Sequence, residues 1–93
     1  MYTNLTWDEH KAELNWKKHG VCFDEAVTVF LDPLATEYFD DTQKDEERWV
    51  TIGKSATGRL LVVVYMEPEE NTARIISARL TTNSERNDYE ERI

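Results

Sequence analysis

The chain has 93 residues, 11 of them basic and 19 acidic, for a formal net charge of −8. That length holds one modest core and no second, so residues 1–93 are expected to form a single domain, and 40% hydrophobic with 32% charged residues excludes a disordered tail. The longest apolar run, Leu60 to Met66, is far short of the roughly 20 residues a spanning helix needs, and Met1 to Thr6 lacks the cationic and apolar stretches of a secretory signal, so no membrane partner is expected and the cytoplasm is the expected compartment.

The first predicted element is a helix. Asp8 is placed to accept from the free amides of the first turn, Leu14 and Trp16 carry the helical pattern, and Gly20 ends it in a left-handed cap. Lys17, Lys18 and His19 crowd the last turn, where the carbonyl end of the helix favours positive charge. A shorter helix is predicted from Asp24 to Leu31, with Ala26, Val27, Val29 and Phe30 as its apolar face, stopped by Asp32-Pro33. With a tight connection at Gly20-Val21 the two read as an N-terminal helical hairpin.

From Ala35 the pattern turns strand-like. Strands are predicted at Ala35–Asp40, Arg48–Lys54, Arg59–Glu67 and Ala73–Leu80, joined by short turns as an antiparallel meander of four. The near-continuous apolar run of the third implies burial on both faces and a central place in the sheet. The charge run Asp40 to Glu47 reads as a solvated loop. Thr82-Asn83-Ser84-Glu85 is a capping box opening a C-terminal helix, with Tyr89 on the face of Glu85 or Arg86. The expected fold class is α+β.

Chemistry is carried by few residues. His10 and His19 are too far apart for one helix face, there is no Cys/His cluster, and only 3 glycines occur with no phosphate-loop spacing, so neither a metal nor a nucleotide cofactor is expected. What remains is a set of cations from separate elements: Lys18 and His19, Arg48, Arg59, Arg74 and Arg79, and Arg86. Such a set suits a phosphodiester, because RNA supplies its own 2′-hydroxyl nucleophile and the protein must align it, take its proton and neutralise the phosphate oxygens. Arginine fits the last task through its planar two-point donor edge. Plainer roles also fit: Arg74 can pair with Glu67 or Glu69 across the turn, Arg86 with Glu90 along the helix, and Lys17, Lys18 and His19 can simply suit a helix end.

These residues resemble a known family. Trp7-Asp8 with Lys11 and Asn15, Lys18-His19-Gly20-Val21 with Phe23 and Glu25-Ala26, Phe30 with Asp32-Pro33, Glu47-Arg48, Gly58 to Tyr65, and Arg74-Ile75-Ile76-Ser77-Ala78-Arg79 with Glu85-Arg86 and Tyr89 are similar to the BrnT toxins of type II toxin-antitoxin systems. The resemblance implies a RelE-like fold and a small bacterial ribonuclease that inhibits translation by cleaving RNA without a metal. It also implies neutralisation by a BrnA-type ribbon-helix-helix antitoxin, through which alone operator DNA is contacted. On that resemblance Arg79 and Arg86 hold the scissile phosphate, Lys18 and Arg48 add charge stabilisation, and Glu85, His19 or Tyr89 handles protons. One departure is the run Leu80 to Ser84, where relatives often carry more basic residues. With the acidic net charge, it admits an alternative: a catalytically weak module that mainly binds the antitoxin and tunes autoregulation of the operon.

Overall fold

In the computed structural model, which describes residues 2–42 and 46–91, a five-stranded mixed sheet carries helices on both faces. The elements run β1 (Asn4–Thr6), α1 (Glu9–His19), α2 (Phe23–Ala26) with a 3-10 turn (Val27–Leu31), β2 (Thr36–Asp40), β3 (Arg48–Lys54), β4 (Leu60–Glu69), β5 (Thr72–Leu80) and α3 (Asn83–Glu90). Strand order is β1-β5-β4-β3-β2. Strands β2 to β5 form the antiparallel meander read from the pattern, with β4 at its centre.

Alternation along β4 splits its side chains between two cores. Leu61, Val63 and Tyr65 join Val21, Phe23, Ala26 and Val29 beneath α1 and α2, together with Ala73, Ile75 and Ala78 of β5. Leu60 and Val62 face the other way and, with Val50 and Ile52, receive Tyr89 of α3. Fully buried side chains of this size each stabilise by roughly 1.5–3 kcal/mol relative to exposure, so the first and larger cluster dominates.

Two expectations are corrected. The sheet has five strands and is mixed, not four and antiparallel, because β1 pairs parallel with β5 at Thr72–Arg74. That strand is invisible in the pattern: its three residues are all exposed, and its pairing is the most non-local in the fold. Nor is there a helical hairpin. The helix expected from Asp24 to Leu31 is one α-turn followed by 3-10 geometry, where β-branched Val27, Thr28 and Val29 crowd the turn and the Thr28 hydroxyl donates to the Glu25 carbonyl at 2.6 Å. The first core cluster unites residues of α2 and its turn with the sheet, so these short elements lie on β-strands rather than along α1.

The ends of the long helices follow the sequence closely. Asp8 caps α1 by accepting from the Lys11 amide at 2.9 Å, and Gly20 takes φ 67° while its amide donates to the Trp16 carbonyl. Of the predicted charge run, Asp40 to Thr42 forms a turn and Glu46 and Glu47 are exposed, while 43–45 lie outside the described residues.

Candidate active site on the open face of the sheet

Helix α3 covers only part of its sheet face. Beside it lies a groove of about 470 Å³ with Val50, Val62 and Val64 in its floor and Tyr38, Ser77 and Arg79 along its sides. Cross-strand register explains the grouping: Tyr38 lies opposite Val50, Val50 opposite Val64, Val64 opposite Ser77, and Val62 opposite Arg79. Residues paired in this way share a face.

A bulge sets which arginines share it. Ile75 pairs with Tyr65 and Ser77 with Val64, which leaves Ile76 as an extra residue in β5. Ala73, Ile75 and Ala78 all enter the core beneath α1, so Arg74 before the bulge and Arg79 after it both project from the opposite, open face. Regular alternation would have separated them. Arg48, two residues from Val50 on β3, belongs to that face as well. Three arginines from two strands are therefore brought to one side of the sheet.

Arg79 is held rather than spent. Its Nη1 and Nη2 donate to Oε1 and Oε2 of Glu85 at 2.8 Å each, and Nη1 also donates to the Leu80 carbonyl at 3.1 Å. A guanidinium has five N–H groups, and this arrangement engages three. The Nε–H and the second Nη2–H have no partner among the described residues, and together they form the side-on edge that matches two phosphate oxygens. The Arg79 side chain is 40% exposed and that of Glu85 21%. Glu85 is itself fixed by the predicted capping box: the Thr82 amide donates to Oε1 at 2.8 Å, and the Glu85 amide donates to the Thr82 hydroxyl at 3.2 Å. Arg79, above all, lowers the Glu85 carboxyl to about 2, which makes it a poor proton acceptor near neutrality and a good anchor.

Lys18 and His19 reach the same strand from its edge. On the edge of β5 away from β4, the pairing with β1 ends at Arg74, and beyond it the buried Asn15 of α1 takes the place of a strand among the described residues. Its amide nitrogen donates to the Val21 and Ala78 carbonyls at 2.9 Å each, and its oxygen accepts from the Ala78 amide at 3.1 Å. The side chain thus mimics a neighbouring peptide and ties α1 to the residue before Arg79. As a result Lys18 and His19 line a shallow depression with Ile76 and Ser77, and Ser77 also lines the groove that holds Arg79.

The remaining expected site residues stand apart. Arg48 shares the open face, but its Nε and Nη2 both approach Glu46 Oε2 at 2.8 Å. Arg86 is exposed on α3, lines neither depression, and makes no ion pair with Glu90 among the described residues. Tyr89 is 3% exposed, and its hydroxyl donates to Asp32 Oδ2 at 2.6 Å. Burial first, and then Asp32, push that phenol up to about 12. It pins α3 to the loop after the 3-10 turn and does not face the groove. Tyr38 is the residue that sequence reasoning passed over, since it sat in a strand too weakly patterned to show its facing. Arg74, one of the candidate cations with a cross-strand pairing to Glu67 or Glu69 as its plainer role, forms no ion pair among the described residues.

Fold and site together define a small α+β protein with three helices, a mixed sheet and an arginine-bearing open face. The chain belongs to the BrnT family: the model for the ribonuclease toxin BrnT of type II toxin-antitoxin systems matches residues 7–85. Among solved structures it is similar to the crystal structure of the Brucella abortus ribonuclease toxin BrnT, with a TM-score of 0.64 and 23% identity over 87% of this chain and 100% of that one. At that identity the likeness speaks for the fold. No curated protein matches the chain. Membership in a type II system implies a protein antitoxin as partner.

Proposed function

We propose that the chain is an endoribonuclease that cleaves RNA without a metal, and that a BrnA-type ribbon-helix-helix antitoxin neutralises it and alone contacts operator DNA. The observation that carries this reading is the side-on edge of Arg79, held in place by Glu85 and the Leu80 carbonyl and left open toward the groove. A scissile phosphate binds that edge with two oxygens. The RNA 2′-hydroxyl attacks phosphorus, the bond to the 5′-oxygen breaks, and the products are a 2′,3′-cyclic phosphate and a 5′-hydroxyl. His19, beside Ser77 at the strand edge, takes the 2′-hydroxyl proton and returns it to the leaving oxygen. Lys18 and Arg48 add positive charge to the approach, joined by Arg74. Arg86 guides the RNA from α3 without touching the phosphate. Glu85 positions Arg79, and Tyr89 anchors the helix that carries Glu85.

Expressing the protein alone in a bacterium and following growth and RNA integrity tests the proposal. Wild type should arrest growth and degrade RNA, and a folded Arg79→Ala variant should do neither; a folded, fully toxic Arg79→Ala variant would overturn it. The net charge of −8 favours a second reading, the catalytically weak antitoxin-binding module, because non-specific affinity for RNA rises with the number of phosphates neutralised. Soluble, folded wild type that leaves growth and RNA untouched while binding its antitoxin would select that reading.

A further inference from the structure

Ring contacts organise most of the aromatic residues in this fold. Tyr2, Phe30 and Tyr65 meet edge to face in one group, Trp7 packs on Phe23, and Phe39 packs on Trp49. Tyr89 is buried and tied to Asp32. Two aromatics remain outside these contacts: Trp16 of α1, 57% exposed and not part of the groove lining, and Tyr38. Tyr38 is 49% exposed, and among the described residues its ring meets no other ring and its hydroxyl makes no hydrogen bond.

Its position gives that exposure a use. Tyr38 lines the groove on one side with Arg79 and, on the other, a recess of about 360 Å³ with Glu85. It therefore stands beside the Arg79–Glu85 pair, above the aliphatic floor of Val50 and Val64. An aromatic face next to a fixed phosphate donor is how proteins grip single strands, since every base has a π-face to stack and no base edge need be read. A paired base cannot be offered to it.

We propose that Tyr38 is a stacking platform for the unpaired nucleobase next to the phosphate held by Arg79, so that the site takes single-stranded RNA in preference to duplex. The inference rests on the ribonuclease reading above. Stacking acts on bound substrate before and during cleavage alike, so its loss raises KM more than it lowers kcat. The ring carries the effect, not the hydroxyl.

The test uses a fluorescently labelled single-stranded RNA, fully 2′-O-methylated to prevent cleavage, titrated with wild type, Tyr38→Ala and Tyr38→Phe. Cleavage of the unmodified strand is measured in parallel, and thermal melts confirm the fold of each variant. Tyr38→Ala should bind about 10- to 100-fold more weakly, with KM raised and kcat little changed, and Tyr38→Phe should restore tight binding. A duplex of the same sequence should compete poorly with the single strand. If wild type binds and cleaves but Tyr38→Ala matches it, the stacking role is overturned and the ribonuclease reading stands. The same follows if Tyr38→Phe fails as badly as Tyr38→Ala, or if Tyr38→Ala loses only antitoxin affinity. Folded wild type that neither binds nor cleaves RNA overturns both.

Discussion

Arg79 and Glu85 meet end-on, each terminal guanidinium nitrogen donating to its own carboxylate oxygen at 2.8 Å, and that carboxylate also accepts from the amide of Thr82, the N-cap of α3. One side chain therefore orients the proposed phosphate donor and helps close a helix. Glu85→Ala should lose both contacts. Losing the hydrogen bond from the Thr82 amide, while the Thr82 hydroxyl still caps the helix, costs about 1 kcal/mol, which in a domain of this size lowers Tm by about 4–8 °C. RNA cleavage should fall further than that destabilisation explains, because Arg79 is then free to turn. Thermal melts beside initial cleavage rates check the pair of effects, and cleavage at the wild-type rate would detach Glu85 from the site.

Acid should unfold the protein chiefly through Glu85 and Glu25, with Asp32 and Asp40 lowered as well. Glu85 is lowered to about 2 chiefly by Arg79, and Glu25 to about 2 chiefly by Arg59, with Thr57 and Ser55 also donating to it. Glu85 and Glu25 both have folded pKa values below the ordinary carboxylate value of 4.5 that the unfolded chain shows. Their contribution to stability is therefore present above that value and lost as pH falls toward about 2. At the alkaline end the sign reverses. Tyr2 and Tyr89 are raised from 10.0 to about 12, both mainly by burial, so they favour folding below pH 10 and lose that contribution as pH climbs toward 12. Tm measured across pH should fall in both windows, and in Glu25→Gln the acid decline should be shallower.

Asn15 should be among the costliest polar residues to lose. Asn15→Ala leaves the Ala78 amide and two buried carbonyls without partners, a penalty of roughly 2–3 kcal/mol. It also frees the last turn of α1 from β5, so cleavage should drop with stability. Urea unfolding of wild type and Asn15→Ala, at a common m-value, measures the first effect.

Tyr89 separates anchoring from chemistry. Tyr89→Phe keeps the ring among Val50, Ile52, Leu60 and Val62 and removes only the hydroxyl that donates to Asp32. Stability should fall by about 1–2 kcal/mol, while growth arrest and RNA cleavage persist below the new Tm. A folded Tyr89→Phe variant with no cleavage would return Tyr89 to the proton-handling role that the family resemblance suggests.

Local chemistry was legible in the sequence where it is enforced within a few residues. Asp8, Gly20, the Thr82–Glu85 box and the bounds Arg48–Lys54 were readable because each depends on its own neighbours. The strand β1 was not, since three exposed residues carry no alternation and their pairing spans most of the chain. The short helix was overread because Val27, Thr28 and Val29 keep an apolar helical face while their branched side chains favour a tighter turn. Among site residues, Glu85 was readable as part of the capping box, whereas Arg79 was one of a set of cations and its pairing with Glu85 required the structure. The shared facing of Arg74, and the groove-lining place of Tyr38, required the sheet.

The extra residue at Ile76 makes the site depend on counting as well as on chemistry. Substitutions along β5 change what projects from the strand, but only an insertion or deletion changes the direction in which everything beyond it projects. Losing one residue there would send an arginine toward the packed core of Val21, Phe23 and Leu61, or turn Ala73 and Ile75 out of it. The spacing between positions 74 and 79 is thus a length constraint with the force of a catalytic residue, and a chain one residue shorter could keep every functional side chain and still lose the surface they share.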